Sequence, residues 1–216
     1  MYHILGLIIF FPSFFSIFQK KIENSKSLVL FFILSLFMLA SIRYHVGTDY
    51  YSYYKFFNNI NPFKFESNYI TGTSYNFEPL FLYITAILKN LIISPYFYFS
   101  FFSFFTLLLV FKGITILSPH YLLSIFLFYS HFYANYTYNG IRQGIVMGFF
   151  LISLKYIIDK KLLSTIAITI IAIMFHKSGA LILISYFLSK IDFKNRLILI
   201  LGIITSILIW KLGIGE

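Results

Sequence analysis

The chain contains no cysteine, which excludes disulfides and thiolate metal sites. Charge is sparse: Asp, Glu, Lys and Arg together make up 11% of the residues, and only seven of them are acidic. No metal-ligand spacing, phosphate-binding glycine loop or nucleophile elbow occurs anywhere. There is no internal repeat, and no low-complexity linker beyond a Phe and Tyr bias. What fills the 216 residues instead is apolar: 59% are hydrophobic, against about 45–50% in a soluble domain. Several of the apolar runs approach membrane-spanning length. Alternation of the barrel kind is absent, so the expectation is an all-α, polytopic helical membrane protein. The net charge of +10 then encodes orientation rather than affinity for nucleic acid.

Apolar runs at 2–18, 28–42, 96–111, 121–136, 140–158, 162–175, 180–188 and 197–213 predict about eight spans in one integral membrane domain covering 1–216. No basic residue precedes the first run, which makes it a poor signal peptide. Lys20, Lys21 and Lys26 follow it, and place the first loop inside and the N-terminus outside. Lys155, Lys160, Lys161, Lys190, Lys194 and Arg196 mark the inner side again. This orientation leaves room for an odd number of crossings between Glu78 and Lys112, yet two apolar runs lie there. The first, 80–93, is short and carries Lys89 and Asn90, so it is expected to be re-entrant or to lie on the surface. Residues 43–78 are expected outside, with Thr48 capping an amphipathic helix that starts at Asp49 and rests on the membrane.

That external segment opens with the densest polar chemistry in the chain, Arg43-Tyr-His-Val-Gly-Thr-Asp-Tyr-Tyr-Ser-Tyr-Tyr. Tyrosines and arginines also populate the headgroup belt, so two readings of these residues are open, interface and function. With the orientation above, four polar groups fall in one outer layer: Arg43 with Asp49; Glu78; Arg142 with Gln143; and His176 with Lys177. Arg142 stands two residues into a span whose Gly140, Gly144 and Gly148 form a small-residue stripe. About 200° of helical rotation separates it from that stripe, so it is either a snorkelling interfacial arginine or an anion site. His176 is either a boundary histidine or a general base. Asp49 and Glu78 are alternative bases, or partners of the arginines. Lys89, His120 and His131 are read as structural.

Taken in order, the four motifs resemble the EpsG family, Wzy-like polysaccharide polymerases of capsule, exopolysaccharide and O-antigen pathways. The residues that carry the resemblance are Arg43 to Tyr54, Phe77-Glu-Pro-Leu-Phe, Tyr138-Asn-Gly-Ile-Arg-Gln and Phe175-His-Lys-Ser-Gly-Ala; it runs from about residue 28 to 190. Family members are longer, which implies that this chain is the N-terminal part of a longer architecture. The resemblance implies a multi-pass protein of the bacterial cytoplasmic membrane, working on its outer face. Its glycosyltransferase reaction would join repeat units carried on undecaprenyl diphosphate, needing neither metal nor nucleotide cofactor. Within it, His176, Asp49 and Arg142 would be catalytic, while Arg43, Tyr50, Glu78, Gln143 and Lys177 would bind substrate. Its partners would be the lipid-linked oligosaccharide, membrane lipid, and a flippase and chain-length regulator of the same pathway. Two other classes stay open: a membrane O-acetyltransferase using His176, and a flippase-like carrier. A third possibility is an inactive fragment.

Overall fold

The structure is a computed structural model that describes residues 2–16, 26–43, 45–60 and 77–191. The expected span at 197–213, most of the 58–76 loop, and Lys20, Lys21, Lys194 and Arg196 lie outside the described residues. Among the described residues every regular element is helical. The order is α1 (Tyr2–Ser16), α2 (Lys26–Ser41), α3 (Tyr50–Asn59), α4 (Pro79–Leu91), α5 (Pro95–Leu117), α6 (Tyr121–Phe128), α7 (Ile141–Ile158), α8 (Leu162–Phe175) and α9 (Ala180–Leu188). α6 continues through π-helical turns at Tyr129–Tyr133 and Asn135–Asn139, and a 3-10 turn at Lys177–Gly179 joins α8 to α9.

Among the described residues two helices, α5 and α7, are long and apolar enough to cross a membrane. α5 has 23 residues, which at 1.5 Å per residue makes about 34 Å, enough for a hydrocarbon core of about 30 Å. α1, α2, α4 and α8 are shorter apolar helices. Many large apolar side chains face outward, among them Leu30, Leu34, Met38, Leu127, Ile170, Leu181 and Ile184. In water such a surface would aggregate; in lipid it costs nothing.

The two long helices pack side by side and run parallel, because their close contacts climb together. Gly144 faces Thr106, Gly148 faces Leu109 and Gly113 faces Leu151. A Cβ on Gly148 would overlap Leu109, and one on Gly113 would come within 2.5 Å of the Leu151 Cβ. Small residues thus let the backbones approach, as in other close membrane helix pairs. The expected stripe is corrected in one position. Gly140 precedes the helix as its N-cap, and the atoms nearest its open side belong to the side chain of Gln143.

The remaining helices alternate around this pair. α2 runs against α5, with Phe37 on Phe104 at 5.4 Å, and against the π-helical segment, whose Tyr133 hydroxyl donates to the Leu36 carbonyl at 2.6 Å. α1 runs against α6, with Phe10 on Phe126 at 5.2 Å and Ser13 Oγ donating to the Leu122 carbonyl at 2.9 Å. The Phe175 ring at the end of α8 packs on Phe105 and Phe149. α9 returns to the opposite end, where the Tyr186 hydroxyl donates to the Lys160 carbonyl at 3.2 Å. The bundle therefore has two distinct ends. One gathers Lys155, Lys160, Lys161 and Lys190; the other gathers residues 43, 45–50, 78, 138–142 and 176–179.

α3 and α4 sit at this second end. α3 begins at Tyr50, one residue later than expected, with Asp49 as an N-cap that makes no side-chain cap bond. Its aromatic face is Tyr50, Tyr53, Phe56 and Phe57, all buried, while Tyr54 is exposed. Tyr50 stacks on Phe99 at 4.8 Å, and Phe57 packs on Tyr98 at 4.8 Å. The face expected to rest on the membrane is thus occupied by α4 and α5 of the protein itself. α4 starts at Glu78, beside Arg142, and ends where Lys89 Nζ donates to the carbonyls of Phe57, at 2.7 Å, and Asn58. Lys89 thereby satisfies the last carbonyls of α3, a common use of a cation at a helix C-terminus. Since Phe57 packs on Tyr98 in the first turn of α5, the Lys89 end of α4 lies near the start of α5, while its other end lies beside Arg142 of α7.

Candidate functional site

Each of the four sequence motifs contributes to one cluster, and the contacts between them are made by backbone turns as much as by side chains. Arg43 follows α2 and is only 4% exposed. Its Nη1 donates to the carbonyls of Thr137 at 2.5 Å and Tyr138 at 2.8 Å. These oxygens end the π-helical segment, and the chain leaves helical geometry at Gly140, so they have lost their own helical donors. A cation there also complements the helix dipole. The guanidinium lies 4.2 Å over the Phe99 ring. Burial lowers its pKa to about 10, so it stays charged at neutral pH. Its Nε and Nη2 are buried with no hydrogen-bond partner.

Gly47 lets the 45–49 turn dock on the same segment. Its φ of 108° lies in the region that favours glycine. A Cβ there would stand 2.5 Å from the Tyr138 carbonyl oxygen. Next along the chain, Thr48 N donates to Asn139 Oδ1 at 2.8 Å. The side chain of Asp49 is exposed and accepts from Thr48 Oγ1 at 3.3 Å.

Glu78 ties the other two motifs together. Its Oε2 accepts from Arg142 Nη1, and its Oε1 accepts from the backbone N–H of Lys177 at 3.0 Å. The Arg142 and Glu78 side chains are both 17% exposed, so the pair is reachable from one side. The Arg142 guanidinium sits 4.3 Å over Phe77, and its Nε is buried without a partner. Tyr53, beneath the pair, has its phenol raised by burial and partly held down by Arg142. His176 is half-buried in an extended backbone just before the 3-10 turn. Its Nδ1 lies 2.8 Å from Ser178 Oγ and 3.2 Å from the Ser178 N–H. Burial lowers the imidazole pKa, Arg142 and Lys177 lower it further, and Glu78 opposes them. Gly179 permits the turn, because a Cβ would come within 2.5 Å of the Ile173 nitrogen.

Arg43, Glu78, Arg142 and His176 thus stand at one end of the bundle, with Asp49 at its exposed edge. Three expected substrate contacts are placed differently. Tyr50 is 1% exposed and lies in the core, so its ring supports the site from below. Gln143 is exposed and folds back over Gly140. Lys177 enters the cluster only through its backbone N–H, while its side chain is exposed. Sequence reading missed Tyr53 and Asn139, although both stand inside motifs it had singled out. Among the described residues no three of His, Asp and Glu come together as a metal-ligand set.

An apolar-surfaced helical bundle carrying a half-buried cluster of charges at one end defines a helical membrane protein. The chain belongs to the EpsG family, whose match covers residues 26–215. That membership is consistent with a polysaccharide-pathway membrane protein. Comparison with curated proteins finds no match, and neither does comparison with solved structures.

Proposed function

We propose that this protein polymerises lipid-linked oligosaccharide repeat units on the outer face of the bacterial cytoplasmic membrane. The observation that carries the reading is the Arg142–Glu78 pair, largely buried but still reachable and joined through the Lys177 N–H to the turn that holds His176. The lysine-rich end of the bundle would face the cytoplasm, so the cluster would lie outside. α4, which begins beside Arg142 at the start of α7 and ends near the start of α5, supports the re-entrant reading of 80–93 within an arrangement of about eight spans.

In the proposed reaction an acceptor sugar hydroxyl attacks the anomeric carbon of a glycan carried on undecaprenyl diphosphate. The new C–O bond forms as the bond to the diphosphate breaks, and the lipid diphosphate leaves with the bonding electrons. Arg142 exchanges Glu78 for a phosphate oxygen, which suits its planar fork of donors. Arg43 adds fixed positive charge behind it. The hydroxyl proton passes to His176 Nε2 in the tautomer protonated at Nδ1, which gives up the Ser178 N–H bond that Nδ1 accepts in the resting turn and donates to Ser178 Oγ instead. Asp49 is the alternative base. A flippase would deliver the repeat units and a chain-length regulator would set the product size.

Cells lacking the protein test the reading. They are expected to make single lipid-linked repeat units and no polymer. Unchanged polymer length would refute polymerisation, and loss of the single units as well would point to an earlier step.

A further inference from the structure

A ladder of rings leads from the buried charge of Arg43 to the surface. The Arg43 guanidinium lies over Phe99. Phe99 stacks on Tyr50 at 4.8 Å with planes 19° apart, and Tyr50 stacks on Tyr54 at 5.9 Å with planes 18° apart. Exposure climbs along it, from 1% at Phe99 and Tyr50 to 40% at Tyr54. Beside Tyr54 stands Tyr51, 62% exposed, whose hydroxyl lies 2.6 Å from His45 Nδ1. His45 has a φ of 55°, uncommon for a residue with a side chain, and its ring packs on both Tyr50 and Tyr51.

Resting on the reading that the substrate is a glycan, we propose that Tyr51, Tyr54 and His45 form a platform that binds a sugar ring of the oligosaccharide, with Asp49 at its edge. A pyranose presents an apolar C–H face and a rim of hydroxyls. The platform offers ring planes for the face, and an imidazole, phenol hydroxyls and a carboxylate for the rim. A lipid-headgroup belt is the competing occupant, and the surroundings disfavour it. The apolar face of α3 is spent on the protein core. The outward face of the same helix carries Ser52, Lys55 and Asn58 besides the two tyrosines, and Thr48 and Asp49 are exposed just before it. That is a surface for water and hydroxyls. The Tyr51 hydroxyl is also held by a ring on the preceding turn rather than left to follow the headgroups. The ladder connects the platform with Arg43, whose own contacts at Thr137 and Tyr138 lie five and four positions before Arg142, which places the platform at the same end of the bundle as the proposed diphosphate site.

The test uses the full chain, purified in lipid nanodiscs and titrated calorimetrically with lipid-free oligosaccharides released by mild acid from the polymer of the cells that make it. Saturable binding is expected. Tyr51→Ala with Tyr54→Ala should weaken it about tenfold, while Tyr54→Phe, which keeps the ring, should stay near wild type. Both tyrosines are exposed, so these variants are expected to fold. No binding by the wild type, or undiminished binding by the double variant, would overturn the platform. So would a double variant that binds oligosaccharide normally but is recovered poorly from membranes, the result expected of a lipid belt. Arg142→Lys should bind the oligosaccharide yet make no polymer. Wild-type protein that binds the sugar but never elongates it would leave the platform standing and defeat the polymerase reading.

Discussion

Replacing Arg142 with lysine is expected to reduce polymer to single repeat units while the amount of protein in the membrane stays normal. A snorkelling arginine needs only a long basic side chain, and lysine supplies one. The site asks for more. Arg142 donates from Nη1 to Glu78, sits 4.3 Å over the Phe77 ring and keeps a buried Nε without a partner. Lysine preserves the ion pair with Glu78 but offers a compact point charge, not a fork that can hold Glu78 and phosphate in turn. Loss of one charge-assisted donor in a transition state costs about 2.7–4 kcal/mol, or roughly 10²–10³ in rate. Arg142→Ala should be little worse in rate, although it leaves Glu78 without its cation. Gly148→Leu supplies the contrast: it would wedge α5 from α7 and lower the amount of folded protein. Normal glycan ladders from Arg142→Lys at normal expression would return this residue to a structural ion pair.

The second large effect is expected at His176. His176→Ala should abolish polymer, because general base catalysis contributes about 10²–10⁴ in rate. Fold should survive, since the side chain bonds only within its own turn, to Ser178. The pH profile carries the sign. Burial, Arg142 and Lys177 depress the imidazole pKa while Glu78 raises it. The base works in its neutral form, so activity should persist as pH falls below the ordinary histidine value of about 6.5, and fail only through the depressed pKa. Glu78→Gln keeps an acceptor for the Lys177 N–H but removes the opposing charge, and should move that acid limb lower still. The same depression makes the neutral imidazole's contribution to stability complete above about pH 6.5 and lost as pH falls through the folded value. Full polymer from His176→Ala would move the base to Asp49.

The motifs were legible because polar residues in an apolar chain stand out, and because Gly47, Gly140 and Gly179 mark the turns among them. Their meeting could be anticipated from lysine positions alone. What sequence could not settle was who covers an apolar face. Periodicity places Tyr50, Tyr53, Tyr54 and Phe57 together on one face of α3, but lipid and protein core ask for the same residues there. The structure covers Tyr50, Tyr53 and Phe57 with α4 and α5, brings Phe56 into the same buried face, and leaves Tyr54 exposed. The four-residue spacing of Gly140 from Gly144 suggested one stripe, yet the helix begins only at Ile141. The π-helical turns before Gly140 carry no sequence signature, although they present the Thr137 and Tyr138 carbonyls to Arg43. Lys89 as the cap of α3 depends on a contact across 31 residues of chain. Only tertiary packing reveals such a partner.

Chain elongation by the purified protein tests the central claim most directly. The full chain would be reconstituted in lipid vesicles and given single repeat units on undecaprenyl diphosphate, with products resolved by length. The account predicts a ladder of longer glycans on lipid and one undecaprenyl diphosphate released for each bond formed, with both absent for Arg142→Lys. Repeat units that stay single with the wild-type protein, or that move across the membrane without joining, would contradict it.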